Sequence, residues 1–440
     1  MRYLPVRHVV FRVVRYTKEM RRPCLLLALC FASARSAWTA TYYVATTGND
    51  ANPGTSAAPW KSVAKAVNTM VAGDTTYVRG GTYNEGLITF KRSGTQAAPI
   101  KLLNAPGESP VIDFGVNYDH TKVQRFQFQA ATGYNTPIGW ITLEGFEMKN
   151  GYDGIKYYNL HDSVIARNTI HHHSSQGIKG NGSLRVTIDR NIIHSNGDFE
   201  LCASTPAKCN LLHGIYIDGN YVTITNNVIY NNLAMGIVQN GDSAYSSTGH
   251  AGPEYSGASN WFIANNTFAY QAYRGAISVW GNRCRDTRIE NNIFYENCQR
   301  AAGKCGNVNG IHINSGVSGI SIRNNIAYAS GSGGLLFFTP GLTEGVQYTQ
   351  SGNIVNVSNP AFVNGGNNAL PASPDFRLTA QSPAINRGLN LYGDGVRTDL
   401  IGVARPQTGS FEVGAYEYGG STPPPTNNLA PAKPRGFRLQ

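Results

Sequence analysis

The chain has 440 residues, 49 of them glycine and 24 tyrosine, and only 14% are charged. That composition suits many turns and exposed strand faces and argues against charge-covered helices. The net charge of +11 sits mostly at the ends. Residues 1–35 carry eight basic and one acidic side chain (+7), and Lys433, Arg435 and Arg438 add +3, leaving about +1 on the body and no basic footprint for nucleic acid.

The first element is an export signal over residues 1–35. Arg2, Arg7, Arg12, Arg15, Lys18, Arg21 and Arg22 precede the apolar run Cys24–Phe31, which is too short to span a bilayer, and then Ala32-Ser33-Ala34. Met20, followed by two arginines, is the more ordinary start. Cys30 is a candidate lipid anchor, but Leu29 is bulky where a small residue is wanted. The expectation is a secreted (or periplasmic) monomer with no later membrane span. Residues 41–48 read as a strand. Pro59–Met70 sets Val63, Ala66, Val67 and Met70 on one helical face, which predicts a short helix plugging the open end of a fold.

A loose repeat fills the middle. Its clearest copy runs Gly214-Ile215-Tyr216-Ile217, Val222-Thr223-Ile224, Asn226-Asn227-Val228-Ile229. Related copies begin at Gly154, Gly177, Gly236, Gly275, Gly310 and Gly334. Asparagines recur at 168, 191, 227, 266, 292, 325 and 353. Three short β-type runs per copy, repeated at intervals of this kind, predict an all-β fold, a single right-handed parallel β-helix with three strands per coil. The asparagines are expected to stack at one corner, each amide bonding its own coil and the next. The body spans 41–418 including its caps, and 419–440 reads as a Pro-rich linker and a basic tail.

Strand alternation turns the middle residue of each Gly-Ile-x-Ile outward. This gives one ladder, Lys156, Lys179, Tyr216, Val238, Ser278 and His312, and a second, Tyr158, Asn181, Asp218, Asn240, Trp280 and Asn314. Loops at 195–210, 241–259 and 298–309 are expected to wall this face into a groove for an extended sugar chain. Trp280 reads as a sugar platform, since Ile277 and Val279 already face inward. Spacing pairs Cys202 with Cys209 and Cys298 with Cys305, leaving Cys284 a thiol; neither pair has the spacing of zinc ligands.

The stretch Tyr42-Tyr43-Val44, Gly48-Asn49-Asp50, Gly54-Thr55, Pro59-Trp60, Gly73-Asp74 and Val78-Arg79-Gly80-Gly81-Thr82-Tyr83 resembles the start of secreted pectate-lyase-like β-helix proteins, closest to polysaccharide lyase family 9. The resemblance implies β-elimination on a uronate polymer, with a lysine base in a Gly-Phe-Lys-Leu-Gly-Gly context. Gly177-Ile178-Lys179-Gly180-Asn181-Gly182 is similar. It also implies calcium held by acidic side chains on neighbouring coils, for which Asp153, Asp198, Glu200 and Asp218 are the nearest candidates.

A lyase needs a base for the proton α to the uronate carboxyl, a group to neutralise that carboxylate and an acid for the leaving oxygen. Lys179 is the expected base, lowered by Lys156. Tyr216 is expected to donate or relay the proton, and Lys156 or calcium to hold the carboxylate. His213, Tyr216 and Asp218 form a second constellation that suits a lyase or a uronate epimerase, though a histidine placed like His213 more often braces a loop than acts as a base. A glycoside hydrolase would need a carboxylate pair from Asp198, Glu200 and Asp218. A non-catalytic polysaccharide-binding protein needs only the aromatics. His171-His172-His173 reads as surface and turn histidines, because consecutive strand residues face opposite ways.

Overall fold

A computed structural model describes residues 39–419 except 117–120, 206–208, 210, 242–248, 299–307, 330–334, 339–340, 357–358 and 408. The expected leader over 1–35, the tail beyond 419 and Cys305 lie outside these residues.

Among the described residues three parallel sheets, of 12, 10 and 10 strands, each join strands far apart in sequence in steady order. This is the expected β-helix, with three strands per coil. The clearest coil is Ile215–Ile217, Thr223–Thr225 and Val228–Tyr230, one strand in each sheet. Inward Ile, Val, Leu and Phe side chains from successive coils merge into one apolar core. At its N-terminal end the helix α1 (Val63–Thr69) is capped by the Ser62 side chain, which accepts from Lys65 N–H, and it buries Val63, Ala66 and Val67.

All seven asparagines stack. Each Oδ1 from Asn191 to Asn353 accepts the backbone N–H and the Nδ2–H of the column member before it, at 2.8–3.1 Å. The Nδ2 groups also reach backbone carbonyls one coil back, as Asn227 does to Ile188 at 3.0 Å. The preceding residue (Arg167, Arg190, Asn226, Asn265, Asn291 or Asn324) has positive φ. This explains the Asn-Asn doublets, since a left-handed corner tolerates asparagine.

A second column was not anticipated. His173, Asn196, Asn232, Gln271 and Asn297 are buried five positions after members of the first, and each of the last four accepts the backbone N–H of the member before it. The spacing 191 to 196, 227 to 232, 266 to 271 and 292 to 297 was legible in the sequence. His173 stands where the others carry an amide. Its Nδ1 accepts from Gly151 N–H and its Nε2 donates to the Met148 carbonyl. The segment after 360 folds back along the outside of the second sheet, setting Phe376, Leu378, Ala384, Leu400 and Val413 against Val228, Tyr270, Ile293 and Tyr295.

Candidate active site

The third sheet carries the outward ladders. Backbone pairing puts Gln127, Lys156, Lys179, Tyr216, Val238, Ser278 and His312 in one register, as the alternation requires. In the second ladder Tyr158 lies beside Asn181, and Asn240 beside Trp280.

The strands Ile155–His161 and Ile178–Leu184 hold the densest chemistry. Lys156 is almost buried, its Nζ donating to Asn181 Oδ1 and lying 4.5 Å above the Tyr158 ring. Burial, and then the Lys179 charge one coil on, press its amine down to about 7. Asp153 and Asp218 pull the other way and Arg125 assists. Sequence reasoning had placed the lowered amine on Lys179. The two lysines are paired as expected, but Lys156 is the buried member, covered by Tyr158 and Asn181. On the inward face of the same strands Gly180 leaves room for the Tyr157 ring, which fills the space its Cβ would occupy, and Tyr157 Oη meets Ser183 Oγ at 2.8 Å.

His213 stacks on Tyr216, ring centroids 5.5 Å apart. Its Nδ1 accepts from Met235 N–H at 3.2 Å, and burial, with Arg274 and Lys179 assisting, pushes it down to about 3. A neutral, hydrogen-bonded imidazole of this kind braces Tyr216. Asp218 does not project to solvent from the third sheet. It is buried, with Oδ1 accepting from Gly182 N–H and Oδ2 paired with His250 Nε2 at 2.9 Å. His250 was not anticipated. It belongs to a strap over residues 249–256 that is also tied down by Asn159, Asn135 and Asn220.

The acidic candidates for calcium do not converge. Asp153 is buried against Arg125 at 3.1 Å, Asp198 caps helix α2 (Phe199–Ser204), Glu200 lies in that helix's first turn and Asp218 belongs to His250. Among the described residues no three His, Cys, Asp or Glu side chains surround a common point. This donor set does not fit calcium, and no step below passes through one.

Further along the third sheet Trp280 is 43% exposed and stacks against His312 at 6.3 Å, whose own basicity burial lowers. Asn314 turns back to its own corner, accepting from Ser315 N–H. Cys202 and Cys209 are bonded in the 195–210 loop, Cys298 is also in a disulfide, and Cys284 remains a thiol donating to the Trp280 carbonyl at 3.2 Å.

The Pel9A-like right-handed β-helix region matches residues 42–334. The chain belongs to that family. It is 44% identical over 75 residues to a pectate lyase, PEL9, of Emericella nidulans, covering 17% of this chain and 18% of that one. It is also 41% identical over 70 residues to the uncharacterized YwoF of Bacillus subtilis, covering 16% and 15%. Each match thus spans under a fifth of the relative. Among solved structures, pectate lyase Pel9A aligns over 86% of this chain and 96% of its own at 18% identity and a TM-score of 0.49. A glycoside hydrolase aligns over 73% and 98% at 9% identity and a TM-score of 0.50. At these identities the likeness concerns the fold. No helix among the described residues is long and apolar enough to cross a membrane.

Proposed function

We propose that this protein is secreted and cleaves a uronate-containing polysaccharide by β-elimination in the groove over the third sheet. The observation that carries the reading is the Lys156–Lys179 pair, in which burial and a neighbouring cation press one amine to about 7. Near neutral pH such an amine is free to accept a proton, as elimination α to a carboxylate requires. In this reading Lys156 takes the proton on C5 and Lys179 holds the uronate carboxylate, the reverse of the roles read from the sequence. Carboxylate neutralisation acidifies the C–H and stabilises the enolate-like transition state. Tyr216, one coil on and braced by His213, protonates the leaving oxygen. Trp280 and His312 serve as a platform further along the polymer.

The paired carboxylates of a hydrolase have no support here, because Asp198 and Asp218 are already committed to a helix cap and to His250. The deciding experiment is a screen over pectate, alginate, glucuronan and glycosaminoglycans. An unsaturated uronate absorbing in the ultraviolet is the expected product. New reducing ends without that absorbance would make the protein a hydrolase, and neither signal would make it a binder. Cleavage is expected to survive exhaustive chelation, and its loss with recovery on calcium addition would replace Lys179 as the carboxylate anchor.

A further inference from the structure

The triplet His171-His172-His173 lies on the second sheet, away from the groove strands. The expectation that neighbouring side chains diverge fails there for a stated reason. His172 sits at a left-handed corner with φ of 55°, so the strand's alternation ends at His171. His173 turns inward and is wholly buried, while the rings of His171 and His172 both stay outside. Their Nδ1 atoms face each other at 2.5 Å. Two lone pairs cannot sit that close, so one of the two nitrogens carries a proton directed at the other.

The surroundings define which ring holds what. His171 Nε2 lies 3.3 Å from Glu147 Oε1, so its N–H is directed to that carboxylate and its Nδ1 lone pair points at His172. The His194 ring is parallel to His171 at 4.8 Å, and Tyr230 is parallel to His194 at 4.6 Å, so the His171 ring is fixed in orientation. A carboxylate on the far nitrogen of an oriented imidazole is the usual second layer of a metal site. Lys149 opposes a cation, but its ammonium is paired with Glu147 at 3.6 Å.

We propose that His171 Nδ1 and His172 Nδ1 chelate a late first-row divalent cation, copper(II) above all, at this corner. Two imidazoles at about 2.0–2.1 Å from a metal and roughly at right angles stand about 2.9 Å apart, so the rings need to open by only a few tenths of an ångström. Binding displaces the single proton shared between them. Among the described residues no third His, Cys, Asp or Glu side chain completes a ligand set, so water completes the shell, an arrangement accepted by copper(II), which heads the affinity order for nitrogen ligands. Calcium, which takes oxygen ligands, has no place here.

The test is a copper(II) titration of the full chain, free of any polyhistidine tag and stripped with chelator, followed by calorimetry and electron paramagnetic resonance. One saturable equivalent with coupling to two imidazole nitrogens is expected. His172→Asn keeps a residue that tolerates the left-handed corner, and His171→Thr keeps a strand former; each is expected to weaken binding about tenfold or more. Glu147→Gln leaves both rings and is expected to weaken it about tenfold, as loss of a second-layer partner does. Melting curves check that the variants remain folded. No saturable binding by the natural chain, or unchanged binding in the double variant His171→Thr/His172→Asn, would overturn the site. Polysaccharide cleavage is expected to be unaffected by either substitution.

Discussion

Lys156 carries a trade between stability and chemistry. Its amine is pressed from an ordinary 10.5 to about 7, below its unfolded value, so the unfolded chain holds a proton that the folded chain releases. Stability is therefore lost as pH falls from about 10.5 towards 7, at up to about 1.4 kcal/mol per pH unit. Lys156→Met is expected to be inactive yet, after loss of the Asn181 bond, more stable by about 1–3 kcal/mol at neutral pH, read from urea unfolding. The activity of the natural protein should rise through pH 7 and then level. Lys179→Met removes the cation that depresses Lys156. Weaker substrate binding and an acid limb moved to higher pH are expected, and a collapse of turnover with the limb unmoved would return the base to Lys179.

Among the elements, the asparagine column is the unit that joins coils. Asn227→Ala removes the acceptor of two Asn191 donors and the donor to Ile188, Thr225 and Asn266, all within buried surroundings. Unsatisfied buried groups cost about 1–3 kcal/mol each, so a loss of about 3–5 kcal/mol is expected in equilibrium unfolding. The strap over 249–256 is held by the buried His250–Asp218 pair together with Asn159, Asn135 and Asn220. His250→Ala strands the Asp218 carboxylate, and accelerated hydrogen exchange confined to the strap and the end of the Ile178–Leu184 strand is the expected outcome. Uniform loss of protection across all coils would show that Asp218 serves the whole stack instead.

For the whole molecule the stack behaves as a chain of neighbours, and buried neutral histidines make it sensitive to acid. His173 and His213 are held down at about 3 by burial, well below their unfolded values. Between roughly pH 6.5 and 3 the unfolded chain takes up protons that the folded chain refuses. Stability is thus present above 6.5 and lost on acidification, by about 1.4 kcal/mol per pH unit for each histidine. Urea midpoints measured at pH 7, 5 and 4 should fall accordingly. His173→Asn, which fits a column otherwise made of amides, is expected to fold and to flatten that dependence.

The coil, its three strands and the first asparagine column follow from the sequence alone. Each rests on a local rule: period-two alternation in the strands, and corner asparagines whose amides reach only the next coil. The outward ladder from Lys156 to His312 was legible for the same reason, because registration of identical coils fixes which side chains become neighbours. What the sequence did not decide is how deeply each side chain is covered. Lys156 is the buried lysine because Tyr158 and Asn181 close over it. Asp218 is buried because a strap from a distant loop brought His250 to it. The histidine pair at 171 and 172 faces one way because a left-handed corner interrupts the alternation. Burial, long-range pairing and backbone handedness are properties of the assembled coils, and they set the charge of each candidate group.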